Sequence, residues 1–460
     1  MKPRPIETDL QSSVSELAER LEVPGVAVGV VLGDAEHTAF HGVTSIDDAL
    51  RVDAGTLFQI GSTAKTYTAT AIMMLAEQGR IDLDASVRTY VPELRLRDEE
   101  VARNVTVLHL LNHSAGWDGD LFEETGDGDD ALDRYVQRMA TIEQVTPLGS
   151  TVSYNNASFG LAGLVIEKAT GQQYERVIDE LLLDPLGMHR SFFAAKQIMT
   201  YRFANGHRRS QDGTIAVTRP WDTGRYGVSM GGLSSNVADQ LAWARFHLGD
   251  GTGPNGTRVV SEELLQRMQE PTVHCAGNAL GDAVGISWLL REIDGVRVAA
   301  HGGDMAGQHS IFEMAPERGF AITSLTNCGP NGTEFNEQVI RWAFEAYLGL
   351  EVKDPEPVHL ADEALAAYVG RYETIAMIHD VAVAEGGLML TDTVRPEVLA
   401  QLGEDARDNP PDPLGLLPGE GDRYIVTGGP SRGERGYFSR RQDGSIDGMH
   451  VGGRYATRVN

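Results

Sequence analysis

The spacing of apolar residues changes near Gly285, and that change constrains the fold of this 460-residue chain more than any other feature. Downstream of it, residues 286–293, 296–300, 310–314 and 320–325 read as four strands joined by short turns, one of them at Asp294-Gly295. Upstream the period is mostly helical. Residues 12–21 carry Val14, Leu17, Ala18 and Leu21 at helical spacing and stop at Val23-Pro24-Gly25. Residues 62–78 read as a longer helix, capped by Ser62, with Ala64, Ala71, Ile72 and Leu75 on its inner side and Gly79 at its end. Further helices begin at residues 106–111 and 158–169, the second running into Gly171. The front of the chain differs: residues 26–32 are a continuous small-apolar run, followed by Gly33-Asp34 and residues 36–42, which reads as a β-hairpin. An amphipathic helix at 336–348 follows the late strands. Together these pieces predict an antiparallel sheet made from the first hairpin and the late strands, with helices inserted between. That is an α/β (α+β) domain over residues 1–350.

Residues 351–357, containing VKDPEP, read as a linker. Residues 358–460 are glycine-rich and strand-like, with turns at Glu385-Gly386-Gly387 and Asp443-Gly444, and predict a small antiparallel β-barrel or meander. Lys and Arg number 39 against 66 Asp and Glu, a net charge of −27. A field of that sign repels phosphate backbones and anionic lipid, so nucleic acid and membrane surfaces are excluded as partners. Cys275 and Cys328 are too few for a disulfide framework and read as free buried thiols. The first twenty residues turn polar at once and no run of eighteen apolar residues occurs, so the expectation is a soluble, cytoplasmic protein.

Lysine is scarce, with five in the chain, so its positions carry information. Lys65 follows Ser62 by three residues, which puts both side chains on one helical face. A hydroxyl is a poor nucleophile until a neighbouring base takes its proton, and a partly buried lysine is such a base. Free N–H groups at a helix start would hold an oxyanion beside it. Two further polar elements follow. Tyr154-Asn155-Asn156 lies in a polar turn before a helix, and His301-Gly302-Gly303 ends a strand just ahead of Asp304. Other patterns are weaker. Gly227-Val228-Ser229-Met230-Gly231 spells a nucleophile elbow but lacks the strand before and the helix after. His109 and His113 share a helical face, yet Leu110 stands where a zinc protease needs glutamate, so they read as packed or capping residues. The acidic loop at 126–130 lacks the ligand register of a calcium loop. No metal and no cofactor are expected.

In these elements the chain resembles the serine β-lactamase and penicillin-binding-protein superfamily, within it the class C β-lactamase-like branch of esterases and D-amino-acid peptidases. The likeness rests on Ser62-Thr63-Ala64-Lys65, Tyr154-Asn155-Asn156 and His301-Gly302-Gly303, framed by residues 110–116 and 231–235, and it spans about residues 20–350. The tail, with residues 368–372 and Gly453-Arg454-Tyr455, is similar to the lipocalin-like β-domains attached to some members.

The resemblance implies a β-lactamase/transpeptidase-like domain and an acyl-serine mechanism on a small-molecule or peptide substrate. Ser62 would attack a carbonyl while Lys65 and Tyr154 share its proton, either of them serving as the base; a nearby ammonium would favour the Tyr154 phenolate. Tyr154 would then protonate the leaving group. Asn156 would bind Lys65 and the substrate amide, the N–H groups of Ser62 and Asp304 would form the oxyanion hole, and Gly302 and Gly303 would let substrate lie flat on their strand. His301 stands where many members have lysine. A histidine that is neutral or charged with pH implies a weaker demand for a substrate carboxylate, favouring esters, amides or thioesters over penicillins. Arg454 would reach into the cleft toward a carboxylate, or pair with surface acids. The leading expectation is a serine hydrolase for an amide, an ester or a peptide containing a D-amino acid. The alternatives are a thioesterase that macrocyclises a nonribosomal peptide and a β-lactam sensor without turnover.

Overall fold

The computed structural model describes residues 6–210, 212–221, 224–384, 386–398, 411–419, 421–429 and 431–459. Helix α1 (Ile6–Arg20) leads into strands β1 (Gly25–Leu32) and β2 (Ala35–Gly42). The late strands are β3 (Val273–Asn278), β4 (Gly281–Val284), β5 (Leu289–Ile293), β6 (Val296–Met305), β7 (Gln308–Ala315) and β8 (Phe320–Thr326). They form one antiparallel sheet in the order β2-β1-β8-β7-β6-β5-β4-β3, so the first hairpin joins the late strands through β1 and β8. Val26 faces Thr326 and Leu32 faces Phe320 across that seam.

The continuous apolar run of β1 follows from burial on both faces. Val26, Val28 and Val30 pack with Leu10, Val14 and Leu17 of α1 and with Phe335, Val339 and Ile340 of the helix at Asn331–Ala343. Ala27 and Val31 face the opposite core, which holds helix α2 (Lys65–Glu77), helix α3 (Asn156–Thr170) and helix α4 (Val237–Leu248). Gly29 permits this closeness: a Cβ there would lie 2.6 Å from Val237 Cγ2 and 3.0 Å from Leu241.

Two features depart from the sequence reading. β3 and β4 extend the sheet beyond the four late strands, and β6 continues through Asp304 to Met305, so the His301-Gly302-Gly303 motif lies within a strand and not at its end. β3 has no strong alternation to announce it, since His274, Cys275 and Gly277 interrupt the apolar pattern.

The C-terminal strands Gly370–Glu373, Met377–Ala384, Gly387–Val394, Asp412–Leu416, Arg423–Val426, Arg435–Arg440, Ile446–Val451 and Arg454–Val459 close into an antiparallel barrel. We number them β9–β16. Tyr372, Leu388, Leu414, Tyr424, Phe438 and Met449 fill its interior. β14 lies against β3, so the barrel covers the far edge of the large sheet. Among the described residues no helix is long and apolar enough to cross a membrane. Cys275 and Cys328 are both free, the second of them buried.

Gly29→Val is expected to lower stability by about 1–3 kcal/mol through overpacking between β1 and α4, read as a shifted urea midpoint. An unchanged midpoint would mean that the seam is looser than its contacts indicate.

Candidate active site

Strand residues Phe58–Gln59 deliver the chain into a 3-10 turn, Gly61–Ala64, from which α2 continues at Lys65. Ser62 therefore sits inside the turn and does not cap the helix through its side chain, in contrast to the sequence reading. Two glycines make the turn possible. Gly61 has φ of +49°, and a Cβ on it would lie 2.7 Å from Asp304 N. A Cβ on Gly303 would lie 2.0 Å from Ile60 O and 2.6 Å from Ser62 N. The Cβ side of Gly303 thus faces the nucleophile turn and allows the close approach of β6, while Gly302 and Gly303 both line the cleft. The backbone nitrogens of Ser62 and Asp304 come into the same neighbourhood by this packing.

Lys65 is wholly buried, and its Nζ meets three oxygens: Ser62 Oγ at 3.0 Å, Asn156 Oδ1 at 2.7 Å and Met230 O at 2.6 Å. Burial holds the amine well below its ordinary value, and the Arg454 charge pushes the same way against Asp120. A neutral amine has two N–H groups and one lone pair. In that unprotonated form the two carbonyl oxygens accept the N–H groups and the lone pair faces the Ser62 hydroxyl; in the protonated form Nζ donates to Ser62 Oγ as well.

Tyr154, Asn155 and Asn156 occupy the start of α3. The Asn155 side chain caps the helix by accepting from Ser158 N at 2.8 Å. Gly119 packs so tightly here that a Cβ on it would lie 2.6 Å from Asn155 Cα. Asn156 donates from Nδ2 to Asp120 Oδ1 at 2.7 Å, which fixes its carbonyl toward Lys65. The Tyr154 ring lies 5.0 Å from Lys65 Nζ. Burial raises its phenol above the ordinary value, more than the neighbouring Ser62 hydroxyl and the Arg454 charge pull it down. Burial thus favours the neutral phenol at Tyr154, against the phenolate that the resemblance implied.

His301 is buried, with Nδ1 2.7 Å from Gly302 O. Burial first and Lys65 second push it down to about 3. It is neutral across the physiological range, so it does not supply the pH-dependent charge that its residue type suggests. His113 packs its ring 4.4 Å from that of Tyr154 and accepts from Asn155 N at 3.1 Å. Asp304 is exposed and pairs with His309 across the β6–β7 hairpin.

Arg454, at the start of β16, reaches the site from the barrel. Its Nε lies 2.7 Å from Asp120 Oδ2, Nη2 lies 3.2 Å from Oδ1, and its guanidinium lies 4.9 Å from the Tyr154 ring centre. It is thus engaged by a buried carboxylate of the cleft and not by surface acids. Tyr154 N donates to Gly453 O at 2.8 Å, and Tyr455 N to Ser153 Oγ at 3.1 Å, so the barrel also grips the tyrosine segment. The cleft that opens on Ser62, Tyr154, Asn156, His301 and Arg454 has a volume of about 2520 Å³.

Asp120 is the residue that sequence reasoning missed. Gly119, forced to be small by the tyrosine segment, marks the place, but nothing linear connects Asp120 to Arg454. The remaining patterns lie elsewhere. Ser229 is fully buried, donating to Phe159 O at 2.9 Å. His109 forms a capping box with Thr106. Among the described residues no cluster of His, Cys, Asp or Glu is placed to hold a metal ion.

Gly303→Ala is expected to cost at least ~1–3 kcal/mol of stability and to displace Ser62, whereas Gly302→Ala, whose Cβ would make ordinary contacts with Ile311 at 3.5 Å and Ser310 O at 3.6 Å, stays within about 0.5 kcal/mol. Denaturation of the two variants side by side checks this, and equal costs would contradict the packing described.

Comparison with known proteins agrees with this geometry. The family described as Beta-lactamase matches residues 10–346. Penicillin-binding protein 4 of Amycolatopsis lactamdurans is 32% identical over 374 residues, 79% of this chain and 96% of that protein. Unguisins hydrolase ungD' of Aspergillus campestris is 25% identical over 343 residues, 70% of this chain and 62% of that protein. Among solved structures, SurE superposes over 99% of either chain with a TM-score of 0.77 at 23% identity, and SurE with D-Leu does so with a TM-score of 0.73 at 22% identity. With the sheet, the Ser62–Lys65 turn and the family match over most of its length, the chain belongs to the β-lactamase family, the serine β-lactamase and penicillin-binding-protein type of fold, and carries a closed C-terminal barrel of lipocalin-like form.

Proposed function

We propose that this protein is a serine hydrolase that acylates Ser62 and releases the acyl group to water, cleaving an amide, peptide or ester bond. The observation that carries the reading is the contact set of Lys65: two carbonyl oxygens and the Ser62 hydroxyl, and, among the described residues, no carboxylate in contact to hold a proton on the amine. Lys65 takes the Ser62 proton as Oγ bonds to the substrate carbonyl carbon. The developing oxyanion lies against the backbone N–H groups of Ser62 and Asp304. Tyr154, a neutral phenol, gives its proton to the leaving amine or alkoxide and regains one from Lys65. Water then attacks the ester carbonyl, its proton passing to the same pair, and Ser62 leaves with a proton. Asn156 orients Lys65 and offers its amide to the substrate.

The cleft at Ser62 is continuous with an open groove of about 2520 Å³ that is lined also by β5 and by residues 351–355, which leaves room for an oligopeptide substrate. D-configured residues are the class suggested by the relatives, since SurE was solved with D-Leu. His301 gives no fixed charge, so benzylpenicillin is expected to turn over more slowly than an uncharged ester. The same roomy cleft favours a second reading, in which an amine of the bound peptide replaces water and the product is a macrocycle. A linear peptide thioester with a D-residue at the acyl end separates the two: hydrolysis gives the free acid, cyclisation a product lighter by the thiol.

Ser62→Ala is expected to abolish turnover of p-nitrophenyl butyrate and labelling by a fluorophosphonate, located by peptide mapping. Label on another serine would overturn the assignment. Lys65→Ala is expected to lower kcat/KM by about 10²–10⁴-fold. In the wild type, kcat/KM rises with pH along an acid limb as Lys65 loses its proton, because only the unprotonated amine accepts from Ser62. The limb lies below the ordinary lysine range, and His301, pushed down to about 3, contributes none of it. A limb that persists in Lys65→Ala would assign it to another group.

A further inference from the structure

The barrel does more than cover a sheet edge. Its last hairpin brings Arg454 onto Asp120, Asp120 holds Asn156 Nδ2, and Asn156 Oδ1 holds Lys65 Nζ. This is a continuous chain of hydrogen bonds from a C-terminal guanidinium to the amine beside Ser62. Asp120 has a side-chain exposure of 8%, so water does little to screen it. Unopposed, a buried carboxylate one amide away from Lys65 would hold a proton on the amine. Arg454 is placed to cancel it.

We propose that Arg454 is a positioning residue of the acyl-transfer reaction: it neutralises Asp120, so that the carboxylate orients Asn156 against Lys65 without keeping Lys65 protonated. The inference rests on the reading of Ser62 and Lys65 as the reacting pair. It removes the need for Arg454 to touch substrate, since its charge is already engaged by Asp120, by Gly452 O at 2.8 Å and by the Tyr154 face.

Other charges face these groups. Lys65 is neighboured by Tyr154, His113 and His301, which hold neutral forms near neutral pH. Arg454 is faced by Asp304, by His450 and by Glu434, which accepts from Gly452 N at 2.7 Å. Burial pushes His450 down to about 4 and Glu434 up to about 7, so Glu434 is the neighbour that titrates in the working range.

The test is the pH dependence of kcat/KM for p-nitrophenyl butyrate, an ester with no charge to bind. Arg454→Gln is expected to move the acid limb up by about one pH unit and so lower the rate about tenfold at any pH on the rising part of that limb. Asp120→Asn combined with Arg454→Gln is expected to return the limb toward the wild-type position, and Arg454→Lys, which keeps the charge, to leave it near there. If Arg454→Gln does not fold, as thermal denaturation would show, the double variant and Arg454→Lys carry the test. A rate loss with no shift of the limb, a double variant shifted as far as the single one, or the same shift in Glu434→Gln would overturn the proposal. Turnover by Ser62→Ala would instead overturn the reacting pair itself, whatever Arg454 does.

Discussion

The structure depends on an amine with nowhere to be hydrated. Lys65 lies at the first turn of a helix whose residues from Lys65 to Leu75 are all buried, and among the described residues its Nζ hydrogen-bonds to oxygens from three separate segments. An ammonium in that place loses its water without gaining a carboxylate contact, so burial favours the neutral amine. The same burial acts on Tyr154 in the opposite chemical sense, holding the phenol protonated. One environment thus sets apart an acceptor and a donor of protons within a few ångströms of each other, the arrangement that acyl transfer needs in its two halves.

Backbone proximity is the second requirement, and it comes from residues that lack side chains. Gly61 and Gly303 let the Ser62 turn and β6 touch along the main chain; at Gly61 the positive φ adds a conformational demand to the spatial one. The sheet makes that contact repeatable. β6 is a central strand, paired on both sides by β5 and β7, and so offers a rigid wall to which the turn is fitted.

The sheet built from both ends of its domain was legible because its strands have unequivocal patterns: β1 is apolar on both faces, and β5 to β8 are separated by short turns. β3 and β4 were not: His274, Cys275 and Gly277 interrupt the apolar pattern of β3, β4 is four residues long, and the buried Asn278 meets His450 of the barrel, a partner far along the chain that leaves no periodicity to read. The same reason explains the site. Ser62, Lys65, Tyr154 and Asn156 announce themselves by local spacing, and the structure brings them together. Asp120 does not, because its meaning lies in a guanidinium 334 residues away. Charge states were the least legible of all. A histidine read from type alone suggests a group that titrates near neutrality, and a tyrosine beside an ammonium one that ionises, whereas burial favours the neutral forms of His301 and Tyr154.

The barrel's interior is filled with aromatic and aliphatic side chains, and where it meets the cleft it presents the β15–β16 hairpin. That hairpin gives the catalytic segment both a mechanical and an electrical boundary: a main-chain hydrogen bond at Tyr154, a bond from Tyr455 N to the Ser153 hydroxyl, and a positive charge on Asp120. The two are not separable. Asp120 is stable as a buried carboxylate only while a cation faces it, and Arg454 faces it only while the hairpin is docked. Docking of the barrel and completion of the site's electrostatics are therefore one event. A chain that lost the barrel would keep Ser62 and Lys65 in register on α2 and its preceding turn, yet leave Asp120 with no opposing charge and Tyr154 without its main-chain partner.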